Sequence, residues 1–361
     1  MKMLHITESL GAGVGHFLVL ATRGQVVAGH EVVLAHSIRP DTPVAQLDAQ
    51  FAHVTKRSVV PMVTPVSLLK DARSVWHLMR LMQQEQPDVI HLHSSKAGVL
   101  GRMAAWLVGS RARVFYSPHG FAFLRQNVSK LKRTLFLMFE QVAAKLGGTL
   151  VACSGSEAEL VVAKVRHPHV HLVENATDLN DVQLSAGSVD GCVNVFNAGR
   201  VCYQKGPWRF AAVAQACTDL SARFVWLGDG NLAQALVPAR SPNLQLTGWL
   251  THTDVAKRLA QADVFFMPSL WEGMPLALIE AQAAGVPAVV LNVVGCRDVV
   301  QDGVTGFVCN TEEDLLMRTR ELIQDTDLRK RMGDNAARIA RERFSVARMN
   351  DELLRLYSNC T

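Results

Sequence analysis

At 361 residues the chain is too long for one ordinary core, and two domains of about 170–190 residues are expected. Its 49% hydrophobic and 19% charged residues exclude an extended disordered chain, and the lack of any apolar run of about 18 residues excludes a spanning helix. The net charge of +5 is unevenly spread. Residues 1–175 carry 19 Lys and Arg against 11 Asp and Glu (+8), residues 176–361 carry 18 against 21 (−3), and 12 of the 13 His fall in the first half. Such a first half suits phosphates, on a soluble ligand or an anionic membrane surface, or is simply a solvated surface. Met1–Ile6 leads into a strand pattern without a signal-peptide core. The seven scattered Cys never form C-x-x-C, so a reduced, cytosolic setting is expected rather than a disulfide scaffold or zinc site.

In chain order, Met3–Thr7 reads as a strand, Gly11–Gly15 as a loop, Phe17–Ala28 as a helix and Glu31–His36 as a strand, followed by a loop at Pro40–Pro43. Helix Ser67–Gln84, strand Asp88–His91, helix Ala97–Leu107, strand Val114–Ser117, helix Lys130–Leu146, strand Thr149–Cys153 and helix Glu157–Lys164 follow. This βαβα order implies a parallel sheet with helices on both faces. The pattern weakens over Val170–Asp190, where the interdomain link is placed. A second series runs through strand Val193–Ala198, helix Trp208–Thr218, strand Arg223–Leu227, helix Asn231–Leu236, strand Leu244–Thr247, helix Thr253–Ala260, strand Val264–Pro268, helix Pro275–Ala284 and strand Ala288–Leu291. Helix Glu312–Gln324 and a basic helical region Leu328–Tyr357 close the chain. The expected fold is α/β, with two Rossmann-like domains facing an interdomain cleft and ligands at the carboxyl ends of the strands.

The most informative pair is Glu272 and Glu280, with seven residues between them in Glu272-Gly273-Met274-Pro275-Leu276-Ala277-Leu278-Ile279-Glu280. A strand end, a tight turn and a helix start would hold the first carboxylate beside free backbone N–H groups. The second lies about two helical turns on. Upstream, Gly199-Arg200-Val201-Cys202-Tyr203-Gln204-Lys205-Gly206 follows a strand. Arg200 and Lys205 there are suited to holding a diphosphate, or are two solvated cations of a loop.

Gly11, Gly13 and Gly15 fall short of a dinucleotide fingerprint, because His16 stands at the third glycine and no acidic residue ends the next strand. They read as a loop whose backbone approaches a phosphate or sugar, or as a structural turn. His91 and His93 precede a helix start with no third metal ligand evident, and a hydrogen-bonded loop is favoured over a metal site. Lys96 there is a candidate for an acceptor phosphate. His119, after a strand, is placed to orient or deprotonate a hydroxyl, or is a satisfied core histidine. Arg125–Arg133, then Thr134–Phe139, is basic and then apolar, fitting either an anionic membrane surface or a buried helix with a solvated start. Asp325-Thr326-Asp327 reads as a helix cap, not a metal motif, and no metal is expected.

The segments Gly199-Arg200…Lys205-Gly206, Pro268–Pro275, Glu280-Ala281 and Ala284–Pro287, with Leu227–Gly230, Thr247–Leu250 and Val299–Phe307, resemble the retaining glycosyltransferases of family 4, which have the GT-B fold. Glu8–Ala21, His91–Arg102 and Pro118–Phe123 resemble the branch that builds bacterial O-antigen, capsule or exopolysaccharide on a polyprenyl diphosphate. The resemblance implies an acceptor-binding domain over residues 1–175, a nucleotide-sugar-binding domain over 176–345, and a helix at 346–361 that packs back on the first. It implies transfer of a hexosyl or N-acetylhexosaminyl group from a nucleoside-diphosphate sugar, UDP favoured, to a hydroxyl of a lipid-linked saccharide. Catalytic residues would be His119, Arg200, Lys205 and Glu272.

By the same carry-over, Arg200 and Lys205 bind the diphosphate, Glu280 the ribose, Trp249 and Leu250 the base, and Glu272, Gly273, Met274, Pro275 and Leu276 the sugar. Gly13 and Gly15 lie beside the donor, although family members often carry paired glycines and an acidic residue where Val14 and Gly15 stand. Lys96, His119 and Arg125 face the acceptor. The expected partners are the donor, the lipid-linked acceptor and an anionic membrane at its cytosolic face, with neither cofactor nor nucleic acid. Three rivals share parts of this pattern: a UDP-sugar 2-epimerase, a non-catalytic partner subunit of a transferase, and an NAD-dependent oxidoreductase.

Overall fold

Short runs of β-branched and aromatic residues such as Val264-Phe265-Phe266-Met267 are buried on both faces. That is the pattern of strands covered by helices on either side of a parallel sheet. The computed structural model describes residues 1–359 apart from 40, 41, 43, 64, 65, 189 and 237–240. The chain forms two compact units, residues 1–175 with 346–361, and residues 176–345.

The first unit comprises β1 (Lys2–Thr7), α1 (Ala12–Val27), β2 (Glu31–His36), α2 (Val44–Gln50), β3 (Lys56–Val59), α3 (Leu68–Glu85), β4 (Val89–His93), α4 (Ser95–Leu107), β5 (Arg113–Ser117), α5 (Lys130–Ala144), β6 (Thr149–Ala152), α6 (Gly155–Leu160) and β7 (Val170–Leu172). Its sheet order is β3-β2-β1-β4-β5-β6-β7, and the strand pairs are parallel. The second comprises β8 (Val193–Ala198), α7 (Pro207–Ala216), β9 (Ala222–Leu227), α8 (Ala233–Leu236), β10 (Leu244–Leu246), α9 (His252–Leu259), β11 (Val264–Met267), α10 (Leu276–Ala283), β12 (Ala288–Leu291), α11 (Cys296–Val299), β13 (Gly306–Cys309), α12 (Glu312–Gln324) and α13 (Thr326–Arg343). Its order is β10-β9-β8-β11-β12-β13. The last helix, α14 (Val346–Asn359), belongs to the first unit.

Several expected elements differ from those observed. The loop read at Gly11–Gly15 is largely helix, because α1 starts at Ala12 and its first turn takes in Gly13. Gly15 is needed for packing: a Cβ there would lie 2.1 Å from the Leu10 carbonyl oxygen. The link read from Val170 begins later, because Val170–Leu172 forms β7, the sheet's edge strand. Strand β4 extends through His93, so both of its histidines are strand residues rather than loop residues. The region Leu328–Tyr357 is two helices, broken at Phe344-Ser345. Asp325 accepts from the Leu328 N–H at 2.8 Å and caps α13, as its sequence context suggested. Of the loop at Pro40–Pro43, only Thr42 is among the described residues.

Helix α14 is tied into the first unit through Asn350 and Tyr357, among other contacts. The Asn350 amide donates to the Leu20 carbonyl of α1 at 3.3 Å, and a Cβ on Gly24 would lie 2.3 Å from the Asn350 side chain. Tyr357, fully buried, packs on Phe115 with ring centroids 4.9 Å apart and hydrogen-bonds His91 Nδ1. Replacing Tyr357 with Ala is expected to lower stability by about 3–5 kcal/mol, the range for deleting a buried aromatic ring. Tyr357→Phe, which only strips the His91 hydrogen bond, should lower it by about 1–3 kcal/mol. Urea unfolding of both variants checks the size and the order.

Candidate active site

In each sheet the strand order reverses once, between β1 and β4 and between β8 and β11. At such a point the following loops part to opposite faces and leave a crevice at the carboxyl ends of the strands. In the second unit these loops are Gly199–Gly206 after β8 and Pro268–Pro275 after β11, the two segments singled out in the sequence.

Glycines let these loops close on one another. Gly206, at φ 62°, sits where a Cβ would lie 2.6 Å from the Pro268 carbonyl oxygen, and Gly295, at φ 83°, would meet the Gly273 carbonyl oxygen at 2.3 Å. Both positions combine a left-handed backbone with a close approach, so only glycine fits without displacement. The backbone beside Glu272 is thereby clamped from two sides.

Within this clamp Lys205 Nζ lies 2.8 Å from Glu272 Oε1, with side chains 15% and 8% exposed. Gln204 Nε2 donates to Glu272 Oε2 at 3.2 Å and to the Trp271 carbonyl at 2.8 Å. Both carboxylate oxygens are thus addressed. Burial opposes the charge on Lys205, but the adjacent Glu272 carboxylate outweighs it and holds the lysine pKa above its ordinary value. The result is a permanent cation at the strand ends.

Glu280 lies on α10 and accepts from His252 Nε2 at 3.1 Å, at the start of α9. That hydrogen bond raises the His252 pKa against desolvation, with help from the charges of Glu280 and Asp181. Arg200 is partly exposed in the loop directly after β8. Trp249 is 63% exposed after β10, with Leu250 partly buried beside it. Thr247 Oγ1 ties this segment to the loop after β9 by accepting from Gly228 N–H at 3.2 Å. Gly273, Met274 and Pro275 are buried between β11 and α10, and Leu276 opens the helix.

In the first unit His119 follows β5 with φ 53°, a left-handed value uncommon outside glycine. The next N–H, of Gly120, donates to Glu157 Oε1 at 2.8 Å, while Glu157 Oε2 accepts from Cys153 N–H at 2.9 Å. His119 Nε2 lies 3.0 Å from His93 Nδ1, within reach of the β1/β4 reversal. Lys96 is not an open cation, because its Nζ lies 2.6 Å from Asp71 Oδ1 of α3. Arg125 Nε donates to Asn127 at 3.4 Å in the following loop. Gly13 lies in the first turn of α1, where helical N–H groups lack intrahelical partners.

The third imidazole near His91 and His93, not evident from the sequence, is His5 on β1; ring nitrogens of the three lie within 4.8 Å of one another. Each of their ring nitrogens lies within hydrogen-bond distance of another side chain, either within the trio or from Gln25, Ser117, Tyr357 or His119. Sequence reasoning also passed over Gln204, His252 and Glu157. Gln204 lay inside the quoted loop, and Ser154-x-x-Glu157 is a legible capping-box pattern. Nothing local marked His252.

Two family models match the chain: Glycosyltransferase Family 4 over residues 11–181, and Glycosyl transferases group 1 over residues 193–339. The UDP-Gal:alpha-D-GlcNAc-diphosphoundecaprenol alpha-1,3-galactosyltransferase of Escherichia coli is 29% identical over 315 residues, 81% of this chain and 80% of that protein. The capsular polysaccharide biosynthesis glycosyltransferase CapM of Staphylococcus aureus is 23% identical over 337 residues, 87% and 86% of the two chains. The crystal structure of Anabaena Alr3699/HepE in complex with UDP and glucose superposes with a TM-score of 0.79 at 19% identity over 100% of both chains.

The His252–Glu280 contact has a pH signature. A His pKa raised by a carboxylate stabilises the fold below the unfolded value near 6.5, and that stabilisation fades as pH rises through the folded pKa. NMR titration should place the His252 pKa above the ordinary histidine value, and Glu280→Gln should bring it down. An unmoved His252 titration in that variant would refute the pairing.

Proposed function

The chain belongs to the glycosyltransferases of the GT-B fold, and from that premise we propose that it moves a sugar, with retention at the anomeric carbon, from a nucleoside-diphosphate sugar to a hydroxyl of a polyprenyl-diphosphate-linked saccharide during surface polysaccharide assembly. The observation that carries this reading is the Lys205–Glu272 pair at the β8/β11 reversal. A largely enclosed cation there suits the diphosphate, and an adjoining carboxylate suits sugar hydroxyls. UDP is favoured as the carrier, since the Escherichia coli relative is named for UDP-Gal and the Anabaena structure holds UDP. The lipid-linked acceptor rests on the name of that same relative, which gives its acceptor as alpha-D-GlcNAc-diphosphoundecaprenol.

In this reading Arg200 and Lys205 offset the charge that develops on the diphosphate as the bond from the anomeric carbon to its oxygen breaks. Glu272 orients the sugar, together with the backbone from Gly273 to Leu276. Glu280 accepts from the ribose hydroxyls, exchanging its His252 contact for them, and Trp249 and Leu250 flank the base. The acceptor oxygen attacks from the face the diphosphate leaves, and its proton passes to a departing phosphate oxygen. His119 orients that hydroxyl. Positive charge comes from side chains and helix N-termini, so no metal is required.

Membrane attachment is part of the same proposal. Helix α5 exposes Leu131, Leu135, Met138, Phe139 and Val142, spaced at helical intervals along one face, with Lys130, Lys132 and Arg133 in its first turns. Its other side is held by Glu140, which accepts from Tyr116 Oη at 2.9 Å and lies 3.4 Å from Arg102. An apolar stripe beside basic residues suits the interface of an anionic bilayer. Among the described residues no helix is long and apolar enough to cross one.

Incubation of the purified protein with labelled UDP-sugars and polyprenyl-diphosphate saccharides should give a product whose anomeric configuration matches the donor's. A folded protein inactive across a broad donor and acceptor panel would sink the proposal. Lys205→Ala should lower kcat/KM by about 10²–10³-fold, the usual effect of losing one charge-stabilising group. Co-sedimentation should show binding to vesicles containing phosphatidylglycerol, and the double variant Leu135→Asp, Phe139→Asp should abolish it. Retained binding in that variant would exclude α5 as the anchor.

A further inference from the structure

Four side chains in the first unit form one unbroken hydrogen-bonded line. Gln25 Oε1 lies 2.8 Å from His5 Nε2, His5 Nδ1 lies 3.0 Å from His93 Nε2, and His93 Nδ1 lies 3.0 Å from His119 Nε2. The line starts on α1, crosses β1 and β4, and ends just after β5, on strands adjacent in the sheet. Its rings are nearly parallel in pairs, His5 to His93 at 18° and His93 to His119 at 16°. Gln25, His5 and His93 are fully buried, whereas His119 keeps part of its surface open. The line therefore runs from the interior to a single accessible group.

Its outer end is held under strain. Among the described residues four non-glycine positions have positive φ, and two of them, Ser94 and His119, flank the His93–His119 contact. Ser94 has φ 76° and ψ 155°, in a region that is nearly exclusive to glycine. Such a conformation persists only where surrounding contacts over-determine it. Here those contacts are the Ser94 N–H to the Ser117 carbonyl, at 3.0 Å, and the Gly120 N–H to Glu157. The strain is placed where two strand ends bring His93 and His119 together.

The hydrogen bonds set a direction. A neutral imidazole has one donor and one acceptor nitrogen. If the Gln25 carbonyl accepts from His5 Nε2–H, His5 Nδ1 must accept from His93 Nε2–H, and His93 Nδ1 must accept from His119 Nε2–H. The nitrogen left at the outer end is His119 Nδ1, with its lone pair available. Burial keeps the members uncharged: desolvation lowers His5 and His119 to about 4 and takes His93 well below its ordinary range.

We propose that His93 and His5, backed by Gln25, are positioning residues that lock His119 in its Nε2–H tautomer and present its Nδ1 lone pair as an acceptor for a substrate hydroxyl. This rests on the glycosyl-transfer reading above only for the identity of the hydroxyl. The line uses all three rings as single-proton relays of orientation, which a metal ion bound among them would break.

The test uses the full chain labelled with 15N in its histidine rings. Long-range 1H–15N correlation at neutral pH should show His5, His93 and His119 each neutral with the proton on Nε2. His93→Phe should turn His119 into a mixture of tautomers and lower kcat by roughly tenfold to a hundredfold, the scale of a misoriented reacting group, with the donor KM changed far less. His93→Gln, whose amide offers a donor and an acceptor at similar spacing, should restore part of both signals. A wild-type His119 that is mixed or protonated on Nδ1 overturns the proposal, as does a stoichiometric metal bound by His5, His91 and His93. A folded His93→Phe variant with unchanged His119 resonances also overturns it. Absent transfer in a wild type that shows the expected tautomers would instead count against the glycosyl-transfer reading.

Discussion

The constraint on which both units depend is the reversal of strand order in a parallel sheet. Every parallel neighbour must be reached by a crossover, and crossovers of one hand that run outward from a central strand in two directions must leave opposite faces. The two central pairs, β1/β4 and β8/β11, therefore end in loops that cannot cover each other. The chain places its chemically useful side chains on those strands and loops: His5, His91 and His93 on β1 and β4, and Lys205 and Glu272 after β8 and β11. His119 and Gly295 enter from the next strands outward, and Trp249 follows the edge strand β10.

A crevice made only by diverging loops would be loose, and the second unit closes it with backbone contact. Gly206 against Pro268, Gly295 against Gly273, and Gly228 against Gly199 each bring a glycine so near a carbonyl that a Cβ would sit at 2.2–2.6 Å. These contacts fix the loops at main-chain level, so the Lys205–Glu272 geometry does not depend on long flexible side chains finding each other. Gln204 then uses the Trp271 carbonyl as a strut and turns its amide toward the second Glu272 oxygen. A charge pair this enclosed has little stability to offer, since desolvation offsets much of its attraction. On the proposed reading, a charge pair in so costly a place serves a charged, hydroxyl-rich ligand.

The parts legible in the sequence were those set by local pattern. Strands Val193–Ala198 and Ala288–Leu291 and helix Glu312–Gln324 occur with the bounds read from the sequence. The Glu272–Glu280 segment was legible because turn and helix start are adjacent in the chain. The start of α1 was not, because Ala12 to Gly15 carries glycines that read as loop, whereas Gly15 is there for its close approach to the Leu10 carbonyl within a helix. Strand β7 is three residues on a sheet edge, too short for alternation to register. His5, Gln25 and His252 act through partners 20 to 88 positions away in sequence, and only the folded sheet brings those together.

The two reversals handle polarity in opposite ways, and burial explains the contrast. At β8/β11 the side chains stay 8–15% exposed and carry full charges that compensate each other. At β1/β4 the histidines are sealed under α1 and α14, with His5, His91 and His93 at 0% exposure. A lone charge there would be prohibitively costly, so polarity takes the form of neutral rings whose donors and acceptors are matched one to one. A fully matched neutral network has no spare proton and no spare lone pair except at its ends. Whatever it transmits must therefore emerge at His119, the one ring that reaches the surface. The positive φ of His119 and Ser94 marks where the backbone was bent to bring that end into line.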